Sequence, residues 1–440
     1  MTFFIKTFGC QMNVNDSEKM RHLLEQSGLA CVPDEASADI IIVNSCAVRQ
    51  KSQEKVFSYI GRFPASKKII LAGCVAQAER ETIFRRAAGV SAVVGTHQFH
   101  RIGEIAEHLI AGRPAEATVA FSREWRELIP GTKARESRVS GYVSIMEGCN
   151  RFCAYCIVPF TRGREKYRPF RDIVREAESL AKNRYAEVIL LGQNVSNWRD
   201  RKEWMTFAGL LDYLANNVDV RWIRFVTSYP GSMDRNLIRA IARNSRIARH
   251  IHLPAQSGST RILKKMLRNY TRSQYLDTVS RFKKEIPEMK FSSDFIVGFP
   301  SETDRDFRLT LSLLERVEYE SVFSFLYSPR QNTPAAKLKD DLDPVIKKER
   351  LHRLQELQAE IQLRNNRNRI GTTLEVLITQ RNPKKPNEAI GRTESYRVVN
   401  FETEREPGSL VRVRITKAGP YSLRGEEIEK GEAILGPASV

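Results

Sequence analysis

Six short apolar runs recur between residues 142 and 329, each leading into polar or Gly/Pro-rich residues: "YVSIMEGC", "EVILLGQNV", "WIRFVTSYP", "HIHLPAQS", "FSSDFIVGFP" and "SVFSFLYSP". Between them fall patterns of helical period, among them "RDIVREAESLAKN", "MDRNLIRAIARN" and "TDRDFRLTLSLLERV". Strand–helix alternation sustained this long points to an α/β fold, because parallel neighbours need a crossover and a helix is the usual one. Six β/α units predict a partial (β/α)6 barrel, two units short of the full eight. In such barrels the loops after the strands carry the chemistry, so the residues that end each run are where a site is expected.

The same alternation fills residues 1–120, where "FFIKTFGC", "DIIIVNSC" and "KKIILAGC" are separated by helix-like segments such as "DSEKMRHLLEQSG". This predicts a separate N-terminal domain built on a parallel α/β sheet. Each of the three runs ends on a cysteine: Cys10, Cys46 and Cys74. The carboxyl ends of strands line the crevice of an open α/β sheet, so these residues should meet at one edge. Burial as unrelated core thiols is the ordinary fate of a free cysteine, but three at strand ends favour a shared metal site. Cys31, within "GLACVPD", lacks this placement and is read as structural.

Residues 113–138 show no clear period and read as a linker into a second domain at 139–368. After the charge-rich helical stretch "DPVIKKERLHRLQELQAEIQLRNNRNRIG" the period changes to two, in "TLEVLITQ", "YRVVNF" and "LVRVRITKAGPYSLRGE". That predicts a small antiparallel β-barrel over 369–437, of the size used to bind oligonucleotides.

"GCNRFCAYCIVPF" places Cys149, Cys153 and Cys156 in the loop after the first barrel strand. Three thiolates are one short of a closed zinc site, and the nearest histidines, His97, His100, His108 and His250, are remote in sequence. A [4Fe–4S] cluster held by three thiolates keeps one iron open, and openness is what a catalytic metal needs. S-adenosylmethionine can fill that position through its amino and carboxylate groups. An electron from the cluster then breaks a carbon–sulfur bond and releases a 5′-deoxyadenosyl radical, while the protein positions the cofactor and excludes water.

No apolar run approaches the roughly 20 residues of a bilayer span. The start "MTFFIKTFGCQMN" lacks the basic residues and cleavage site of a signal peptide. A cytoplasmic location with reduced thiols and no membrane association is expected. Lys and Arg outnumber Asp and Glu by 71 to 52, which suits a polyanionic partner such as nucleic acid. The 371–440 stretch is nearly neutral, so the excess lies elsewhere, most densely in "TRGREKYRPFR" at 161–171. There Arg164, Lys166 and Arg168 are expected to meet phosphates, with Tyr167 and Phe170 available to stack on bases; Tyr396, Phe401 and Tyr421 are the corresponding platforms in the small barrel.

"CNRFCAYC" at the end of a first barrel strand resembles the radical S-adenosylmethionine signature. "LLGQNV", "LPAQSGS" and "DFIVGFP" resemble the strand ends where that superfamily contacts its cofactor, which implies roles for Gln193, Gln256, Ser257 and Asp294. The fifth-strand pattern departs from the superfamily's, which begins with Gly and ends in Glu where this chain has Asp294 and Ser301. With "TFGCQMNVNDSE", "NSCAVR", "AGCVAQ", "GCNRFCAYCIVPFTRGRE" and "YSPRQNTPAA", nearly the whole chain resembles the methylthiotransferases, whose parts are an N-terminal cluster domain, a radical barrel and a small RNA-binding (TRAM-like) barrel. The resemblance assigns Cys10, Cys46 and Cys74 to an auxiliary [4Fe–4S] cluster and Cys149, Cys153 and Cys156 to the radical cluster. It implies two [4Fe–4S] clusters and two S-adenosylmethionine molecules per turnover.

"TFGCQMN" and "LLGQNV" resemble the isopentenyladenosine (MiaB-type) branch, whereas the threonylcarbamoyladenosine branch tends toward "LGCKVN" and the ribosomal-protein branch toward "LGCPKN". The implied reaction is conversion of N6-isopentenyladenosine in the tRNA anticodon arm to its 2-methylthio derivative, with an electron donor such as a flavodoxin or ferredoxin. A non-catalytic iron–sulfur RNA-binding or electron-transfer protein is the rival reading; electron carriers normally use four thiolates per cluster.

Overall fold

The computed structural model of the chain describes residues 1–48, 50–64, 66–113 and 116–428. Its N-terminal unit is a wholly parallel sheet of six strands, in spatial order Ala30–Cys31, Thr2–Phe8, Ile40–Ser45, Lys68–Gly73, Ala92–Val94 and Glu116–Thr118. The central strand IIIVNS is buried on both faces. Ile40 and Ile42 pack with Phe3, Met20 and Leu24, while Ile41 and Val43 pack with Val56, Ile69 and Leu71. A parallel strand covered by helices on both sides needs such a continuous apolar run. Phe8 stands opposite Ser45, and Ser45 opposite Gly73, so three neighbouring strands end level.

Six further parallel strands form the second unit: Ser140–Ser144, Glu187–Leu191, Trp222–Phe225, His250–His252, Lys290–Val297 and Ser321–Leu326. They lie in chain order as two three-stranded sheets that meet at an Ile223–Ile247 bridge. One core backs both sheets, joining Val143, Val188, Ile223, Ile251 and Phe295 to helix residues such as Ile173, Leu210, Leu237, Val279 and Leu314. The helices begin on deliberate caps: Thr206, Asp234, Thr271, Thr303 and Asp343 each accept a hydrogen bond from an amide of the first turn. Among the described residues no helix is long and apolar enough to cross a membrane.

The C-terminal unit is a closed five-stranded barrel of Thr373–Asn382, Lys385–Thr393, Val398–Glu402, Ser422–Glu427 and Leu410–Ala418, in that order round the ring. Four of its pairings are antiparallel and one, Val398–Glu402 with Ser422–Glu427, is parallel. An odd number of strands cannot alternate in direction round a closed ring, so one parallel pair is unavoidable.

This small barrel is fixed to the amino ends of the six parallel strands by buried polar contacts. Arg224 Nε donates to Glu187 at 2.7 Å, and its remaining nitrogens donate to the carbonyls of Thr393 and Glu394. Glu320 accepts from Arg369 at 2.9 Å, Arg397 at 3.1 Å and Ser395 at 3.2 Å. The Tyr396 ring lies 4.2 Å from the Arg224 guanidinium and 5.3 Å from the His250 ring. Two expected base platforms are therefore corrected: Tyr396 is spent in this seam, and Phe401, 2% exposed, is core of the barrel. Tyr421, 72% exposed, is the one of the three that remains available.

Candidate functional site

The level strand ends set the first cysteine triplet. Asn13 Oδ1 accepts from the Cys10 amide at 3.3 Å, Asn13 Nδ2 donates to Asn44 Oδ1 at 3.2 Å, and Asn44 Nδ2 returns to the Asn13 carbonyl at 2.8 Å. Two glycines make room for this closure. A Cβ on Gly9 would stand 2.2 Å from Asn13 Oδ1, and one on Gly73, whose φ is 90°, would stand 2.4 Å from Asn44 Oδ1. The neighbouring Cys46 thiol holds Cys10 below the ordinary thiol range, and Cys10 together with burial pushes Cys46 well above it. Burial pushes Cys74 up, and the Arg162 guanidinium beside its thiol pulls it part of the way back. The structure thus brings Cys10, Cys46 and Cys74 to one edge. Cys31 pairs with Phe3 at the other end of the neighbouring strand, five residues and about 16 Å from Phe8 at a strand rise of ~3.3 Å.

The second triplet lies in the 148–156 loop after the first barrel strand. Gly148 has φ 83°, and a Cβ there would run to 2.2 Å from the Arg164 carbonyl oxygen. Its amide donates to Gln193 Oε1 at 2.6 Å, and the Cys149 amide donates to the Gly163 carbonyl at 3.1 Å. Arg268 Nη1 stands 3.5 Å from Cys153 Sγ, and the Arg268 and Arg151 guanidiniums lie 4.7 and 4.1 Å from the centroid of the Tyr229 ring. Two arginines thus brace the loop through one aromatic side chain. Burial pushes Cys149 up to about 11 and Cys156 up to about 12, and the neighbouring Cys153 adds to both shifts.

Backbone strain and unspent polar atoms collect on this same face. Phe152, Thr227, Gln256 and Ser301 have φ between 49° and 67°, and all lie in the cysteine loop or just beyond a strand's carboxyl end. For the β-branched Thr227 this is a genuine outlier, of the kind that persists at functional sites. Arg151 Nε, Asn194 Nδ2, Ser228 Oγ and the Tyr327 hydroxyl are buried there without a hydrogen-bond partner among the described residues. Each such atom costs about 1–3 kcal/mol if nothing answers it. Three soft sulfur donors beside unanswered polar groups fit a thiolate-held cluster with a polar, amino-acid-bearing cofactor. Among the described residues no three histidine, cysteine or carboxylate side chains are gathered closely enough for a single metal ion; in a [4Fe–4S] cluster each thiolate takes its own iron.

The four residues named as cofactor contacts sit differently from one another. The Gln193 side-chain oxygen is committed to the cysteine loop. Gln256 bridges to the fifth strand through its backbone, its amide donating to the Asp294 carbonyl at 2.8 Å. Ser257 is buried, and its hydroxyl accepts from the Ser259 amide at 3.2 Å. Asp294 is partly exposed and lies 3.2 Å from His252 Nε2, whose Nδ1 is 2.9 Å from Ser292 Oγ. His252 is a residue that sequence reasoning missed; in "HIHLP" it alternates with the buried Ile251, the one local sign that it faces the other way.

The basic run at 161–171 requires the larger correction. Arg162, its side chain 4% exposed, is paired with Asp16 and with Glu147. Lys166 is paired with Glu147 at 3.3 Å, and Arg168, 2% exposed at its side chain, with Glu127 and Glu176. Arg164, over the Phe152 ring, and Arg171, paired with Glu203, are the cations of this run that reach solvent. Tyr167 donates its hydroxyl to Glu165 at 2.6 Å, and Phe170 packs edge-on against Tyr213. Most of the run therefore binds acids of this chain, and it joins the two larger units. Thr96 donates to the Thr161 carbonyl at 2.6 Å, the His97 ring lies 3.0 Å from the Arg162 carbonyl, and Ile157 enters the N-terminal core. Arg162 consequently touches the first triplet while standing six residues beyond the last cysteine of the second.

Comparison with known proteins follows the same division. The Uncharacterized protein family UPF0004 model matches residues 2–95, the Radical SAM superfamily model 143–314 and the TRAM domain model 367–428. In fold the chain is similar to the radical S-adenosylmethionine methyltransferase TsrM from Kitasatospora setae, with a TM-score of 0.54 at 12% identity over 76% of this chain and 77% of that one. A cobalamin-dependent S-adenosylmethionine radical enzyme, OxsB, aligns with a TM-score of 0.53 at 11% identity over 82% of this chain and 56% of its own. Relatives named tRNA-2-methylthio-N(6)-dimethylallyladenosine synthase are much nearer in sequence. That of Alkalilimnicola ehrlichii is 44% identical over 96% of both chains. That of Coxiella burnetii is 42% identical over 96% of this chain and 99% of its own, and that of Halalkalibacterium halodurans 38% over 98% and 82%. With identity of this order running through all three units, the chain belongs to the tRNA-2-methylthio-N(6)-dimethylallyladenosine synthase family.

Proposed function

We propose that this protein methylthiolates carbon 2 of N6-isopentenyladenosine beside the anticodon of tRNA, by radical S-adenosylmethionine chemistry. The observation that carries the reading is the pair of cysteine triplets at strand ends of two adjoining units, with Arg162, six residues beyond one triplet, beside the Cys74 thiol of the other. Cys149, Cys153 and Cys156 would hold the cluster that binds S-adenosylmethionine, and Cys10, Cys46 and Cys74 a second one, making two [4Fe–4S] clusters per chain. When bound, these groups supply an electron for reductive cleavage of S-adenosylmethionine, and a held sulfur that is methylated and transferred.

The chain's own part is positioning. Gln193 and the Arg151–Tyr229–Arg268 stack fix the loop that carries the second triplet, and the Asn13–Asn44 pair fixes the strand ends that carry the first. Asn194, Ser228 and Tyr327 offer unspent polar atoms to the cofactor. Asp294, with His252 behind it, presents a carboxylate on the fifth strand. The C-terminal barrel, with Tyr421 exposed on it, would hold the anticodon arm, and a flavodoxin or ferredoxin in the cytoplasm would supply electrons.

Mass spectrometry of nucleosides from bulk tRNA, with and without the gene, tests the assignment. Loss of 2-methylthio-N6-isopentenyladenosine with accumulation of its unthiolated precursor is expected. Loss of a methylthiolated threonylcarbamoyladenosine instead, or no change in tRNA, would overturn it.

A further inference from the structure

Beyond the second barrel strand the chain makes a two-stranded hairpin over 199–206, with Arg199 opposite Thr206 and Asp200 opposite Met205. At its tip stands Trp204, 92% exposed, with φ 51°. Trp198 and Trp222 are by contrast almost wholly buried. Neither packing nor backbone accounts for a tryptophan here. It covers no core, and a left-handed turn position is least costly for Gly or Asn. The hairpin is nevertheless held firmly. Asp200 accepts from the amides of Lys202 at 2.9 Å, Glu203 at 3.3 Å and Phe170 at 2.8 Å, and Arg171 pairs with Glu203 at 2.8 Å. Asp200 is thereby engaged inward and Glu203 is answered by the exposed Arg171, while Arg199, Arg201 and Lys202 of the same hairpin are exposed.

Next to the hairpin runs a groove of about 450 Å³ between the loops that follow the second and third barrel strands, lined by Asn197, Trp198, Phe207, Ser232 and Met233 among others. Asn197 and Ser232 are hydrogen-bonded to each other at 2.9 Å, and both to Arg151 of the cysteine loop, at 3.4 and 2.9 Å. The groove therefore lies one hydrogen bond away from Arg151 of the cysteine loop and passes beside the hairpin that carries Trp204. Its volume is within the ~300–1,000 Å³ range of small-ligand sites, and its mixed amide, hydroxyl and apolar lining suits a nucleoside.

We propose that Trp204 is a stacking platform for an unpaired base of the substrate RNA flanking the modified adenosine, with Arg201 and Lys202 on the adjoining phosphates. This rests on the reading of the protein as a tRNA-modifying enzyme and adds a recognition element to it, on the radical barrel and not on the C-terminal one. A rigid indole with cations at its rim matches single-stranded nucleic acid in both respects: every base has a face to stack, and every linkage carries a charge. The pre-set hairpin keeps the ordering cost of binding low.

The test uses the reconstituted full-length protein and an anticodon stem-loop RNA carrying N6-isopentenyladenosine. W204A is expected to weaken binding between about 5- and 150-fold, the equivalent of a lost base stack of ~1–3 kcal/mol. W204F should retain a large part of the affinity. Iron content and thermal midpoint should match the parent in both variants, and the difference between parent and W204F emission should show quenching of Trp204 by the RNA. Unchanged RNA affinity in W204A would overturn the proposal. So would intact RNA binding with slowed cluster reduction by reduced flavodoxin, which would make the hairpin a docking site for a protein. If the parent protein itself failed to bind the stem-loop, the tRNA reading would fail and not this one alone.

Discussion

Replacing Glu320 with alanine should loosen the C-terminal barrel from the parallel strands. Glu320 is 3% exposed and answers Arg369 and Arg397 with both carboxylate oxygens. Its removal leaves Arg397, among the described residues, the Glu320 carbonyl at 2.5 Å as acceptor in this seam. Arg369 is left with the Asn365 carbonyl at 3.4 Å and Asn366 Oδ1 at 3.0 Å. Breaking a buried pair by removing one partner costs ~3–5 kcal/mol. Arg369 keeps some access to water, so the lower end, about 3 kcal/mol, is the expectation. That corresponds to roughly a hundredfold rise in the open population, read as hydrogen exchange of the seam residues and as cleavage near residue 368 in limited proteolysis. The double variant E320A/R397A should lose less than the sum of the two single losses, because no orphaned charge remains at 397. Acid should act in two stages. Burial holds His250 down to about 3, so its contribution is complete above the unfolded value of ~6.5 and fades as pH falls toward 3. Burial pushes Glu320 up, but Arg397 and Arg369 outweigh it and the net shift is downward, so its contribution is lost only below about pH 4.3. Exchange in the seam that is unchanged in E320A, or strictly additive losses in the double variant, would refute the reasoning.

Anaerobic reconstitution should give about eight irons per chain, four for each [4Fe–4S] set. Changing Cys149, Cys153 and Cys156 to alanine should halve the iron and abolish S-adenosylmethionine cleavage, whereas changing Cys10, Cys46 and Cys74 should halve the iron and spare some cleavage. Arg168→Ala should destabilise the packing of the 119–138 segment on the radical barrel by ~3–5 kcal/mol in denaturant titrations. Arg164→Ala should leave stability within about 0.5 kcal/mol of the parent and lower the salt slope of tRNA binding by about one unit. Phe401→Ala should cost ~3–5 kcal/mol of barrel stability, while Tyr421→Ala should leave the fold intact and weaken tRNA binding by ~1–3 kcal/mol, as measured by calorimetry. Truncation at residue 368 should reduce iron retention as well as methylthiolation, since it leaves Glu320 and Arg224 facing no partner barrel.

What could be read from the sequence was what repeats locally. The six β/α units and the placement of Cys10, Cys46 and Cys74 at strand ends follow from period and position alone, and the structure has both. What failed was anything set by a distant partner. The run at 161–171 looked like a free basic patch because the acid answering Arg162, Asp16, lies 146 residues earlier. Residues 113–138 looked like a bare linker because Glu116–Thr118 is too short to show a period and because Arg135 and Glu127 find their partners, Glu176 and Arg168, in the barrel. Phe401 and Tyr396 looked like base platforms; alternation assigns a face, but only the closure of the ring and its docking say which face is covered. Trp204 drew no notice, since nothing in "RKEWMT" marks a residue that will stand in water.

The docking of the C-terminal barrel also sets an order in time. Arg224 waits 169 residues for the carbonyl of Thr393, and Glu320 waits 77 for the guanidinium of Arg397. At a synthesis rate of ~5–20 residues per second these intervals are roughly 8–34 s and 4–15 s. Throughout them the nascent chain carries a half-closed seam, in which Arg224 has Glu187 but not the barrel carbonyls, open to chaperones and proteases. A message cut short before codon 397 would therefore yield a protein whose seam stays half-closed. The seam is complete only once the C-terminal barrel has been made.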